Sequence, residues 1–352
     1  MEVITRILQV CPGYFPAIGG IQDYVRNVSE RLAGKHEVTV FTTDTMRLPE
    51  QEEINGVLVR RFKSFSPASA YHLSFSLLAE LRRSQFDIVH GHGYNACPLF
   101  FSRYARRNRF FVSPYYIRHG VTPFRNVLIR LYKPFGKKVL QEADRLVVLS
   151  NHEKKLVMED FQIEDDKFAI IPGGIDPKEF RAFAKLQKEY KAILYVARLD
   201  EYKGVQYAIQ TLPLLEEATH LEIVGKGPYQ PTLKRLATKL GIAHRVHFYQ
   251  DLNRDELIYR YTNADVVLLL SRYETFGIVV AEALASKTPC IVANTSSLRE
   301  WVDNENCFGV DYPINSDELA GLITEVMRKK VGEVKLWDWD EVAKQMESIY
   351  VI

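Results

Sequence analysis

The stretch ADVVLLLSRYETFGIVVAEALASKTPCIVAN, residues 264–294, decides the fold. Its first apolar run, from Val266 to Leu270, shows no polar alternation, which is the pattern of a strand covered on both faces. The strand ends at Ser271, Glu274 follows in a loop, Phe276 and Gly277 open a helix that carries Glu282, and a second apolar run starts at Cys290. Strand, helix and strand within about thirty residues make the βαβ unit of a parallel sheet.

The same alternation extends outward in both directions. In the first half, strands are expected at residues 6–10, 37–42, 57–61, 87–90, 110–113 and 145–149, with helical stretches such as 22–32 and 71–83 between them. After Phe168 the pattern restarts, with strands expected at 169–171, 192–197, 220–224, 246–249, 265–270 and 290–293. The expectation is an α/β protein of two doubly wound, Rossmann-like domains. The boundaries expected are 1–170 for the first domain, 171–335 for the second and 336–352 for a closing helix.

Composition agrees with this class and removes others. A chain of 352 residues that is 47% hydrophobic and 26% charged has room for two cores, so it is neither a small disulfide scaffold nor a disordered polymer. Cys11, Cys97, Cys290 and Cys307 are widely spaced, with no CxxC pair and no metal-ligand spacing to histidine, as in a reduced cytosolic protein. The N-terminus, MEVITRILQVCPGYFP, has neither the basic flank nor the apolar core of a secretory signal. The longest apolar runs fall far short of the roughly 20 residues that span a bilayer. The location expected is therefore cytoplasmic.

In doubly wound sheets ligands bind beyond the carboxyl ends of the strands, and three clusters fall there. Gly19-Gly20 follows the first strand and precedes a helix, where paired glycines permit close approach to a phosphate, although simple turn chemistry explains them as well. No GxGxxG or Walker pattern accompanies them. In ILYVARLDEYKGVQYAI, Arg198 follows a buried strand and Lys203 stands near the next helix. Two cations at the lip of a sheet suit a diphosphate, and a solvated loop balanced by Asp200 and Glu201 reads equally well. The third cluster is Glu274 with Glu282, separated by roughly 12 Å if the stretch is helical throughout. Such a pair can accept hydrogen bonds from the diols of a sugar and a ribose on either side of a diphosphate. A carboxylate among the apolar neighbours of Glu282 is costly unless it is paired or liganded.

These motifs, taken with HGHG at 90–93, ADRLVVLS at 143–150, IIPGGID at 170–176, VGKGP at 224–228 and ETFGIVVAE at 274–282, resemble the family 4 retaining glycosyltransferases. Members of that family have the glycosyltransferase-B fold, and the resemblance spans nearly the whole chain. It implies that Arg198 and Lys203 bind a donor diphosphate, that Gly20 contacts it from the first domain, and that Glu282 holds the ribose. It also implies that Glu274 binds the hexose, that the backbone of Phe276, Gly277 and Ile278 lines the sugar and phosphate site, and that His119 faces the donor sugar. Trp339 and Tyr350 match the family's closing helix, which crosses back to the first domain. His90 and His92 are read as shaping a cleft and not as metal ligands, since no third ligand is apparent. Asp338-Trp339-Asp340 is formally a DxD metal signature, but it precedes a terminal helix, where capping is the expected role.

The activity implied is retaining hexosyl transfer from a UDP-, GDP- or ADP-sugar to a glycan or lipid-linked hydroxyl, by front-face displacement with no metal and no cofactor. The alternatives are a nucleotide-sugar epimerase or hydrolase of the same fold, and a noncatalytic scaffold. Thr275, Lys287 and Thr295-Ser296-Ser297 depart from glycines usual in the family. All of them lie outside the diphosphate residues, so activity is expected to survive.

The net charge of +2 conceals a polarity: residues 1–175 carry 24 bases and 18 acids, and residues 176–352 carry 22 and 26. Residues 101–145 alone hold 11 bases and two acids, interleaved with Phe and Tyr. That window suits an anionic membrane or a lipid-linked acceptor, hence peripheral attachment at the cytoplasmic membrane face, as well as it suits plain solvated helices. No nucleic-acid motif is present, so no nucleic-acid partner is expected.

Overall fold

The computed structural model describes residues 4–44, 47–66, 71–120, 123–181, 183–186 and 188–351. Glu2, and residues 121 and 122 of the basic window, lie outside them. The chain forms two compact units: Met1–Gly174 with Trp339–Ile352, and Ile175–Asp338. Among the described residues no helix is long and apolar enough to cross a membrane.

In the first unit the order is β1 (Arg6–Cys11), α1 (Gly20–Leu32), β2 (Glu37–Asp44), β3 (Gln51–Ile54), β4 (Val57–Lys63), α2 (Phe75–Arg83), β5 (Gln85–His92) and α3 (Cys97–Ser102). It continues with β6 (Arg106–Ser113), α4 (Pro123–Glu142), β7 (Arg145–Val148), α5 (Asn151–Phe161) and β8 (Phe168–Ile170). The eight strands lie in the order β3-β4-β2-β1-β5-β6-β7-β8, parallel except for β3 against β4. Leu8, Val10, Phe41, Val89, Phe110, Val112 and Leu146 form the core on these strands. Ser74 and Ser150 cap α2 and α5 by accepting the backbone N–H groups of Leu77 and Glu153.

The sequence pattern misplaced one strand. Residues 169–171 were expected to restart the second domain, yet β8 pairs with β7 and closes the first sheet, with Phe168 buried in the first core. A three-residue apolar run holds no information about which edge it will join. Strand β6 also begins earlier than expected, at Arg106, because its RRNR start alternates outward at the rim before the buried FFVS half.

The last helix, α11 (Trp339–Val351), belongs to the first unit and packs on α1. Arg31 Nε reaches Asp340 Oδ1 at 2.5 Å, Lys35 Nζ reaches Glu347 at 3.1 Å, and the Tyr24 and Trp339 rings meet edge-on at 5.7 Å. Asp340 of the DxD string thus sits in the first turn of α11, paired with Arg31. The Tyr350 hydroxyl lies 2.6 Å from His90 Nδ1 and accepts from Gln9 Nε2 at 3.1 Å. His90 Nε2 is 2.9 Å from Ser113 Oγ, and His92 Nε2 is 2.7 Å from Gln9 Oε1. Both imidazoles are fully buried, so they do not shape a cleft; they tie the closing helix to β1, β5 and β6.

Burial pushes the His92 pKa down to about 3, and burial with the neighbouring His92 takes His90 well below the ordinary value. The unfolded chain therefore binds more protons than the native one between about pH 6.5 and 3, so this stability is complete above 6.5 and is lost as pH falls through that window. Tyr350→Phe is expected to cost about 1–3 kcal/mol, because it strands buried polar atoms on His90 and Gln9. Denaturant unfolding at pH 7 checks this, and a midpoint equal to that of the parent would show that the network does not hold α11.

The second unit runs β9 (Lys191–Val196), α6 (Val205–Thr211), β10 (Thr219–Val224), α7 (Gln230–Lys239), β11 (Val246–Tyr249), α8 (Arg254–Asn263) and β12 (Val266–Leu269). It ends with α9 (Ile278–Ala285), β13 (Cys290–Ala293), β14 (Cys307–Val310) and α10 (Ser316–Val326). Its six parallel strands lie in the order β11-β10-β9-β12-β13-β14. From β9 the chain winds outward to β10 and β11, then returns to place β12 on the other side of β9. The carboxyl ends of β9 and β12 therefore flank the topological switch point of the sheet, where a crevice opens.

Candidate functional site

Both polar clusters of the second unit meet at that switch point. Arg198 leaves β9 with its side chain exposed, Nε 2.8 Å from Asp200 Oδ2. Lys203 ends a single turn, Glu201–Lys203, stopped by Gly204 at φ +78°. The buried Tyr195 hydroxyl joins the two strand ends, donating to the Lys203 carbonyl and accepting the Leu270 N–H at 2.8 Å. Arg272 N–H donates to the Tyr202 carbonyl at 2.8 Å and closes the same seam.

Across this seam Lys203 Nζ lies 2.6 Å from Glu274 Oε1, each side chain 15% exposed. Burial works to lower the Lys203 pKa, but the Glu274 carboxylate with Tyr202 and Asp200 holds it above the ordinary lysine value. The ammonium is thus charged throughout the neutral range. The Glu274 loop is pinned by residues that the sequence marked only as departures: Glu274 N–H donates to Ser296 Oγ at 3.0 Å, and Thr295 Oγ1 donates to the Ser271 carbonyl at 3.0 Å. Trp301 Nε1 donates to the Phe276 carbonyl at 2.7 Å.

Two expectations about this stretch are corrected. Phe276 and Gly277 do not open the helix; α9 starts at Ile278, with Gly277 as N-cap at φ +91°, where a Cβ would stand 2.8 Å from Leu298 Cδ2. Only the second half of the interval from Glu274 to Glu282 is helical, so the 12 Å span does not follow. Phe276, Gly277 and Ile278 form the turn and the N-terminus of α9, whose free N–H groups and partial positive charge favour an anion.

Glu282 is buried on α9 and is paired, as its apolar surroundings require. Arg254 Nη1 donates to Oε1 and the Tyr261 hydroxyl donates to Oε2 at 2.8 Å. Arg254 also reaches Glu179 Oε2 at 2.9 Å. Burial opposes the Arg254 charge, and Glu282 with Glu179 more than offsets it, holding that pKa above the ordinary arginine value. Each Glu282 oxygen keeps a lone pair beyond these bonds. Sequence reasoning missed Arg254 and Tyr261. The Asn253-to-Glu256 capping box that places Arg254 on the first turn of α8 was legible, but its approach to α9 was not.

Gly20 and His119 lie in the first unit. Gly20 is the exposed first residue of α1, and a Cβ there would meet nothing within 4 Å. His119 is exposed in the loop after β6, its N–H donating to the Ile117 carbonyl at 2.7 Å.

Two doubly wound sheets and a returning helix, with cations and carboxylates at the switch point, define a glycosyltransferase-B protein. The solved structures agree on the fold. Sucrose-phosphate synthase from Thermosynechococcus elongatus superposes with a TM-score of 0.80 at 20% identity, over 99% of this chain and 98% of that one. The Anabaena protein HepE in complex with UDP and glucose superposes at 0.76 and 16% identity, over 99% of this chain and all of that one. Residues 18–179 match the model described as Glycosyltransferase Family 4, and residues 176–346 match the one described as Glycosyl transferases group 1. The chain belongs to the family 4 glycosyltransferases. A Methanocaldococcus jannaschii protein named as an uncharacterised glycosyltransferase is 28% identical, over 99% of this chain and 98% of its own length. As a family member, this protein transfers a sugar from a nucleotide sugar.

Proposed function

We propose that the sugar is a hexose, moved with retention from a nucleoside diphosphate to a hydroxyl of a glycan or lipid-linked acceptor, without a metal. The observation that carries this reading is the Lys203–Glu274 ion pair at the seam between β9 and β12. In the proposed step the acceptor oxygen bonds to the anomeric carbon on the face that the diphosphate leaves. The C–O bond to phosphate breaks with its electron pair going to the diphosphate, and a phosphate oxygen takes the acceptor proton. Lys203 and Arg198 neutralise the departing charge, and the N-terminus of α9 at Phe276, Gly277 and Ile278 adds its N–H groups. Glu274 accepts from hexose hydroxyls, while Arg254 and Tyr261 hold Glu282 so that its remaining lone pairs accept from the ribose.

Isothermal titration with UDP, GDP and ADP, with and without EDTA, tests the reading when followed by assay of nucleotide release from the matching sugar donors. The expected result is saturable binding of one nucleotide, unchanged by EDTA, and release that depends on acceptor. Absence of binding to all three would sink it. Binding with no turnover would favour a scaffold, and release without acceptor or a changed hexose would favour the hydrolase or epimerase.

A further inference from the structure

Helix α4 presents a face that neither the fold nor the sugar site uses. Its inner side is tightly seated: Val139 and Leu140 are in the core, and a Cβ on Gly136 would stand 2.4 Å from Tyr94 Oη. Its outer side carries Val127, Leu131 and Phe135, which are 56%, 66% and 60% exposed. Four-residue spacing aligns them in one ridge. The adjoining ridge is Arg130, Pro134 and Lys138, all exposed. Neither Arg130 nor Lys138 forms an ion pair with any described residue. Other cations of the window are engaged: Lys133 pairs with Asp160 at 3.2 Å, Lys137 reaches Gln162 at 2.9 Å, and Arg103 pairs with Glu142. The helix carries no acid before Glu142.

Single exposed apolar side chains are ordinary, but three in register beside a row of uncompensated cations mark an interaction surface. We propose that this face docks the protein on an anionic lipid bilayer. Val127, Leu131 and Phe135 enter the boundary between headgroups and acyl chains, and Arg130 and Lys138 lie at the lipid phosphates. The footprint from Val127 to Lys138 is about 16 Å long. A second copy of the chain is a poorer occupant, since isologous pairing sets these cations against their own counterparts. The proposal is independent of which sugar is moved.

The full chain is mixed with vesicles of phosphatidylcholine alone, or with 30% phosphatidylglycerol, and floated at low and high salt. Two double variants accompany it, Leu131→Ser with Phe135→Ser and Arg130→Gln with Lys138→Gln. Their melting temperatures and nucleotide binding should match those of the parent. Binding is expected only to the anionic vesicles and should weaken with salt. The charge variant should lose roughly 25-fold in partition, at about fivefold per cation, and the apolar variant at least about tenfold. Equal flotation of parent and variants overturns the proposal, as does failure of the parent to float. Concentration-dependent dimerisation abolished by Phe135→Ser would assign the face to a second copy instead.

Discussion

Lys203→Ala should lower sugar transfer by about 100- to 1000-fold, the range seen when one preorganised donor to a developing charge is removed. Lys203 has two partners to satisfy. It holds Glu274 at 2.6 Å in a largely buried seam, and it is the ammonium aimed at the departing diphosphate in the proposed step. Alanine therefore removes the neutralising charge and also leaves a poorly solvated carboxylate beside the sugar. Steady-state nucleotide release with donor varied would show a fall in kcat together with a rise in KM. Lys203→Arg, which keeps the charge but changes its shape, should recover only part of the loss. Because the Lys203 pKa is held above the ordinary lysine value, the parent should show no activity loss from this group as pH rises from 6 to 9. A kcat within about threefold of the parent would remove Lys203 from the leaving-group role and return that task to Arg198.

The second large effect lies one residue further on. Gly204 has φ +78°, and a Cβ there would stand 2.1 Å from the Leu270 carbonyl oxygen and 2.8 Å from its carbon. Both are backbone atoms at the end of β12, so no side-chain rotation relieves the overlap. Gly204→Ala should cost about 3 kcal/mol or more, through the left-handed backbone and the clash together. For a unit of this size that is on the order of a 10 °C drop in its thermal transition. Separating β9 from β12 also parts Lys203 from Glu274, so activity should fall below what the remaining folded fraction explains. Melting by calorimetry beside activity per folded molecule tests both claims, and parent-like melting would show that the seam yields cheaply.

These two residues illustrate what the sequence could and could not disclose. Unbroken runs such as Val266 to Leu270 announce strands buried on both faces, because only that environment tolerates them. Gln51–Ile54 announces nothing, being a polar edge strand antiparallel to β4. Cys307–Val310 is too short and carries a glycine. Arg198 and Lys203 were legible as a pair because both follow one strand within a few residues. Glu282 was legible as a carboxylate in need of a partner, but Arg254 and Tyr261 become that partner only when α8 packs on α9. His90 and His92 misled for the same reason. A strand-end histidine reads alike whether it faces a ligand or a tyrosine, and Tyr350 lies 260 positions away.

That last bond sets an order of assembly. Trp339–Val351 completes the first unit, so every residue of the second unit has been synthesised before Tyr350 exists. At about 5–20 residues per second, the 260 positions from His90 and the 341 from Gln9 leave these side chains without their hydroxyl for on the order of fifteen to seventy seconds. The unit that starts first is the one that finishes last. A cut after Gly174 therefore does not release a whole first unit, but one whose innermost polar groups still wait for a helix encoded at the far end of the chain.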